Sequence, residues 1–88
     1  MSSRGNVIIV SRKKVSDYVL SAILLFNQGH DVIVLRARGD AISKAVDVYN
    51  ALKARLEDSI KLESVSIDSE ESGRRLVPVI EIKIKRVL

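Results

Sequence analysis

The sequence predicts an α/β sandwich of order β-α-β-α-β-β, a mixed four-stranded sheet with two helices on one face and a long hairpin arm. Three observations carry this reading. Two short continuous apolar runs, Val7-Ile8-Ile9-Val10 and Val32-Ile33-Val34-Leu35, each precede a segment of helical periodicity. Such runs suit strands buried on both faces, as in a parallel pair. The C-terminal segment Leu76 to Val87 alternates Ile80, Ile82 and Ile84 with Glu81, Lys83 and Lys85, the period of a strand with one buried face and one wet face.

Each element has its own justification. Val15 to Gln28 reads as a helix that starts near Lys14 or Ser16 and ends at Gly29, the residue type that most often follows a helix. Its residues Tyr18, Val19, Leu20, Ala22, Ile23, Leu24, Leu25 and Phe26 are apolar around most of the circumference, so one sheet covers only part of it. The rest calls for the second helix or a second subunit. That second helix spans Ala41 to Leu56 with Asp40 as its expected N-cap. Ile42, Ala45, Val46, Tyr49, Leu52 and Leu56 recur at helical spacing and are expected to face the sheet. Ile60 to Asp68 forms the third strand, with a bulge or twist expected near Glu63. Pro78 cannot donate a ladder hydrogen bond, so its end of the last strand lies at an edge or projects beyond the sheet. Ser69 to Arg75 is the polar tip of the hairpin between these strands.

The 88 residues suffice for one domain, residues 1–88, and not for two. A domain this small leaves much of its surface exposed and gains from association, which favours a dimer. No cysteine is present, so disulfide and thiolate chemistry are excluded, and zinc would rest on the single His30 and carboxylates. No metal site and no cofactor are expected. No apolar run approaches the roughly 20 residues that cross a bilayer, and the reading is a soluble, intracellular protein without a membrane partner. Charged residues reach 30%, a balance that leans thermophilic.

The net charge of +4 is unevenly spread: residues 1–44 hold seven basic and three acidic side chains, residues 45–88 eight of each. The surplus gathers at two strand-to-helix joints. Arg12, Lys13 and Lys14 follow the first strand; Arg36, Arg38 and Lys44 surround the second joint. Charge runs are common on solvated loops. Both of these joints, however, follow adjacent parallel strands and so open at one end of the sheet, where α/β folds bind ligands. A helix N-terminus there adds unpaired N–H groups and partial positive charge. The arrangement points to a nucleic-acid backbone. Arg74 and Arg75 tip the hairpin, where they either guard exposed strands or enter a groove as an arm.

Other classes fare worse. The glycines form neither a G-x-x-x-x-G-K-[ST] loop nor a G-x-G-x-x-G turn. Aromatic residues are 3% of the chain, too few for base-stacking platforms, and Tyr18 and Tyr49 read as core. No catalytic residue and no enzymatic activity are expected, since no nucleophile, acid–base pair or metal cluster can be assembled.

The segment Ala37-Arg38-Gly39-Asp40-Ala41-Ile42-Ser43-Lys44-Ala45-Val46-Asp47, with Asn6-Val7-Ile8-Ile9-Val10, Tyr18-Val19-Leu20 and Phe26-Asn27-Gln28-Gly29, resembles the Alba family of archaeal chromatin proteins. The resemblance extends over nearly the whole chain, including the final Ile-x-Ile-x-Ile strand. It implies a fold like the C-terminal domain of bacterial translation initiation factor three. It also implies a dimer, with itself or with a paralogue, that binds double-stranded DNA with little sequence preference, often RNA as well, and compacts or bridges it in the nucleoid of the cytoplasm.

The family's basic loop pair matches Arg12 and Lys13, and its arginine after the second strand matches Arg38. Several relatives have arginine where this chain has Asp40, so one phosphate contact per subunit is replaced by an acid. Relatives are regulated by acetylation at the first lysine of the loop pair. Arg12 stands there in this chain and cannot accept it, which leaves Lys13 or Lys14. An aromatic residue that packs dimers side by side in some relatives corresponds to Leu56. A reading as an RNA chaperone or ribonucleoprotein subunit uses the same surface, and a third reading is an assembly module whose charges only solubilise it.

Overall fold

The computed structural model describes residues 3–88. Its elements are β1 (Val7–Ile9), α1 (Val15–Asn27), β2 (Val32–Arg38), α2 (Ile42–Leu56), β3 (Ile60–Ser72) and β4 (Arg75–Arg86). The sheet order is β1-β2-β4-β3. β1 and β2 are parallel, joined through α1, whereas β4 runs antiparallel to both β2 and β3. This is the expected mixed sheet and element order.

Both helices cover one face. Ile8 and Val10 from the first strand region, Ile33, Leu35 and Ala37 from β2, and Ile80, Ile82 and Ile84 from β4 meet Tyr18, Val19, Ala22 and Phe26 of α1 and Ala45, Val48 and Leu52 of α2. Ile33, Leu35, Leu52 and Ile84 have no exposed surface. Burial of each such side chain stabilises the fold by about 1.5–3 kcal/mol. The β-branched residues of β2 and β4 suit this pleated, half-covered surface.

Several expectations give way to the packing. β1 and β2 are not buried on both faces: Ile9 is 60% exposed, and Val7, Val32 and Val34 are half-buried. With both helices on one side, the other face of the sheet lies open. On α2 the buried stripe includes Val48, while Val46 is exposed, because the helix is rotated so that Ala45, Val48 and Leu52 point inward. Asp40 is not a side-chain cap. It sits in a 3₁₀ turn, Gly39–Ala41, and α2 begins at Ile42 with Ala41 at the cap position. The Ile42 N–H donates to the Gly39 carbonyl, so that turn itself satisfies an orphan donor of the helix start. Gly39 at φ +58 makes this entry possible.

The hairpin is longer than its sequence pattern suggests. β3 continues past Asp68 to Ser72, and Gly73-Arg74 make the turn. Ladder hydrogen bonds need only backbone, so the polar tip stays in the sheet. The register slips between Leu62 and Ser64, the bulge expected near Glu63. Pro78 lies one position beyond Val79, the last β4 partner of β2, so the missing donor falls where β4 projects past its neighbour. The resulting molecule measures 44 × 28 × 20 Å, its length set by this overhang.

Candidate functional site

The segment Ser11 to Lys14 connects β1 to α1 and is exposed. Four hydrogen bonds hold its backbone. The Ser11 and Lys13 N–H groups both donate to the Tyr18 hydroxyl, at 2.8 and 3.1 Å. The carbonyls of the same two residues both accept from Lys44 Nζ, at 3.0 and 2.8 Å. The loop is thus gripped on its donors by α1 and on its acceptors by α2, and Arg12 projects from between the two anchored residues. The start of α1 adds a further restraint, since the Lys14 N–H donates to Asp17 Oδ2 at 3.3 Å. That is half of the reciprocal arrangement seen at many helix starts.

Arg12, Arg38 and Lys44 line one open concavity with Ser11, Asp40 and Ala41. Two strand-to-helix joints therefore meet at the same end of the sheet, as parallel strands require. Lys13 and Lys14 extend from the same loop into solvent. Lys44 belongs to this place, but its ammonium is occupied with main-chain carbonyls, and its charge acts mainly as a fastening. Asp40 brings one carboxylate to the rim.

Arg36 goes elsewhere. It lies on the open face of the sheet, its guanidinium paired with both Glu70 and Glu81. Glu81 is its direct partner across the β2–β4 ladder, and Glu70 reaches it from β3. Glu70 Oε1 also stands 4.0 Å from Arg38 Nε. Arg36 is therefore charge-matched, whereas Arg38, with 57% of its side chain exposed, keeps only this longer contact. Arg74 and Arg75 are exposed at the hairpin tip. Leu56 lies at the opposite end of the helices, half-buried beside Ile23, Phe26 and Leu88 around a shallow cavity.

Tyr18, Glu70 and Glu81 are not among the site residues that the sequence suggests. Tyr18 is buried as expected of a core residue, yet its hydroxyl is what orders the basic loop. Its place one turn into a helix after an Arg-Lys-Lys run is a usable signal. The glutamates become visible only with the strand register. Among the described residues no group of three or more His, Cys, Asp or Glu could hold a metal ion, and no helix is long and apolar enough to cross a membrane.

Fold and site define a small two-layer α/β domain with a rigidly held cationic loop at the carboxyl ends of its parallel strands. The Alba family profile matches residues 6–69, and the chain belongs to the Alba family. It is 48% identical over 88 residues to the DNA/RNA-binding protein Alba 2 of Saccharolobus solfataricus, covering 99% of either chain. Identity to the DNA/RNA-binding protein Alba of Methanocella arvoryzae is 38% over 86 residues, covering 92% of this chain and 90% of that one. Among solved structures, Alba from Thermoplasma volcanium superposes with a TM-score of 0.84 at 35% identity, over 92% of this chain and all (100%) of the other. ALBA1 from Trypanosoma brucei shares the fold, with a TM-score of 0.85 at 24% identity, over 94% of this chain and 70% of that one.

Proposed function

We propose that this chain is a non-enzymatic architectural protein that binds double-stranded DNA through its phosphates, with little sequence preference, as a dimer on the chromosome. The observation that carries this reading is the convergence of Arg12 and Arg38 on one open concavity, with Lys13 and Lys14 beside it. Such a surface neutralises phosphates and releases counterions. Clamping the loop on both sides lowers the ordering cost of each contact. Sequence readout is slight, because neither helix offers a row of base-reading side chains to a groove. Arg74 and Arg75 would add arm contacts along the duplex.

The dimer is supported by apolar surface on the overhanging hairpin. Val65 and Ile67 share the helix-side face with Ile82 and Ile80, their ladder partners, yet are 48% and 76% exposed because no helix reaches them. Leu62, opposite Ile84 on the same face of β3, is exposed as well. A second subunit, the same chain or a paralogue, would cover this surface. Replacing Ile67 by Asp is expected to yield a monomer by light scattering at concentrations where the native chain is dimeric.

RNA is the second reading, favoured by relatives whose names include both nucleic acids. Both are tested by salt titration of binding to a random-sequence duplex and a matched RNA hairpin. In the R12A/K13A/R38A variant the slope of log affinity against log salt should become shallower by about 0.9 for each duplex phosphate that is no longer neutralised. An unchanged slope would sink the assignment of this surface. A preference for RNA of about a hundredfold or more, some 2.8 kcal/mol, would replace DNA as the main ligand.

A further inference from the structure

The open face of the sheet carries a second basic cluster. Lys61 and Lys85 are direct partners in the β3–β4 ladder, and Lys83 lies two residues along β4 on the same face. All three are exposed. No carboxylate lies within ion-pair distance of any of them among the described residues. Like charges placed directly opposite one another in a ladder are destabilising, so this arrangement costs stability in the free protein. An anion lying between the two ammoniums reverses that cost.

The surroundings suit a phosphate backbone. Lys83 pairs with Val34 on one side and Ser64 on the other, Lys85 with Val32, and Val34 in turn with Val7. These short side chains leave a flat floor over which three ammoniums stand. Same-face neighbours along β4 are about 6.7 Å apart and adjacent strands about 4.8 Å apart, so the three charges cluster tightly.

This cluster is separate from the Arg12–Arg38 concavity. β2 is seven residues long, Val32 beside Lys85 at one end and Arg38 at the other, roughly 20 Å at about 3.3 Å per residue. Between them lies the Arg36–Glu70–Glu81 group, with Asp68 beside it on β3. A polyanion crossing the face would have to pass these carboxylates, so the two basic regions act as two sites. The apolar patch offered to a second subunit is on the other side of the hairpin, which leaves this face accessible in a dimer.

We propose that Lys61, Lys83 and Lys85 form a second phosphate-binding surface on the open face of the sheet, which takes the backbone of a second DNA duplex while the Arg12–Arg38 concavity holds the first. The proposal rests on the DNA-binding reading above. It makes bridging of duplexes a property of each subunit.

The test uses the full chain, a biotinylated 30-base-pair duplex on beads and a fluorescent duplex of unrelated sequence in solution. The native protein is expected to hold the bead duplex and capture the fluorescent one. The K61Q/K83Q/K85Q variant should bind the bead duplex within about twofold of native affinity and capture at least fivefold less of the second. Its thermal midpoint should equal or exceed the native value, because the Lys61–Lys85 repulsion is gone. Native-level capture by this variant, or no capture by the native protein, overturns the proposal. Undiminished bead binding by R12A/K13A/R38A would instead reject the concavity as the first site, and the lysine variant would still report separately on the sheet face.

Discussion

Arg36 and Arg38 leave the same face of the same strand one pleat apart and meet opposite electrostatic surroundings. Arg36, in the middle of the sheet, is paired with Glu70 and Glu81. Arg38, at the mouth, shares a concavity with Arg12 and has only a 4.0 Å approach to Glu70. The difference teaches that charge identity does not make an arginine available to phosphate. Partner strands do, by what they bring opposite it. The middle of the sheet is a seam joining β2, β3 and β4 in which two carboxylates outnumber the one guanidinium they pair with, and the mouth is a surface held ready by neutral and main-chain contacts.

The largest expected effect breaks the mouth's scaffold without touching its charges. Tyr18→Phe leaves the Ser11 and Lys13 N–H groups without their shared acceptor. A loss of about 2 kcal/mol in stability is expected from unsatisfied, partly buried donors. In a domain of this size that lowers the thermal midpoint by roughly 10 °C. Faster amide exchange at Ser11 and Lys13 should accompany it, and an unchanged midpoint would mean that Lys44 alone holds the loop.

Next comes the pair that defines the contrast. Arg38→Ala should weaken duplex binding about tenfold and make the salt slope shallower by about 0.9. Arg36→Ala should leave that slope unchanged and lower stability by about 1 kcal/mol or less, since its ion pairs remain partly exposed to solvent. Equal effects on binding from both variants would erase the distinction between mouth and middle.

The smallest effect sharpens it. Glu70 touches both arginines, so Glu70→Gln removes the negative charge that moderates them. Binding to a random duplex should tighten by about threefold at low salt, with a slope steeper by up to about 0.9. Weaker binding would indicate that Glu70 aligns Arg38 instead of restraining it.

Much of this molecule is legible along the chain. The alternation of Ile80, Ile82 and Ile84 locates a half-covered strand, the two apolar runs locate the parallel pair, and Gly29 stops α1 where expected. The positions of Arg12 and Arg38 at the same end of the sheet follow from parallel topology alone. Less legible are the contacts that give those residues different roles. Val48 rather than Val46 enters the core because helix rotation answers to the sheet beneath. Asp40 gives up capping because a 3₁₀ turn supplies the donor's partner from the main chain. Lys44 looks like a phosphate ligand by sequence, yet its ammonium spans two carbonyls 33 and 31 positions away.

What the sequence determined by itself is the local grammar of the fold: which segments are strands and helices, their order, and the concentration of positive charge at two joints. Periodicity and turn chemistry act over a few residues, so a linear reading captures them. Only the tertiary structure decided which cations remain available, which hydrophobic residues stay bare on the hairpin, and where like charges face one another across β3 and β4. Those properties depend on register and on which face the helices cover. Both are set by contacts between residues far apart in the chain, where a shift of one position would send every side chain of a strand to the opposite face.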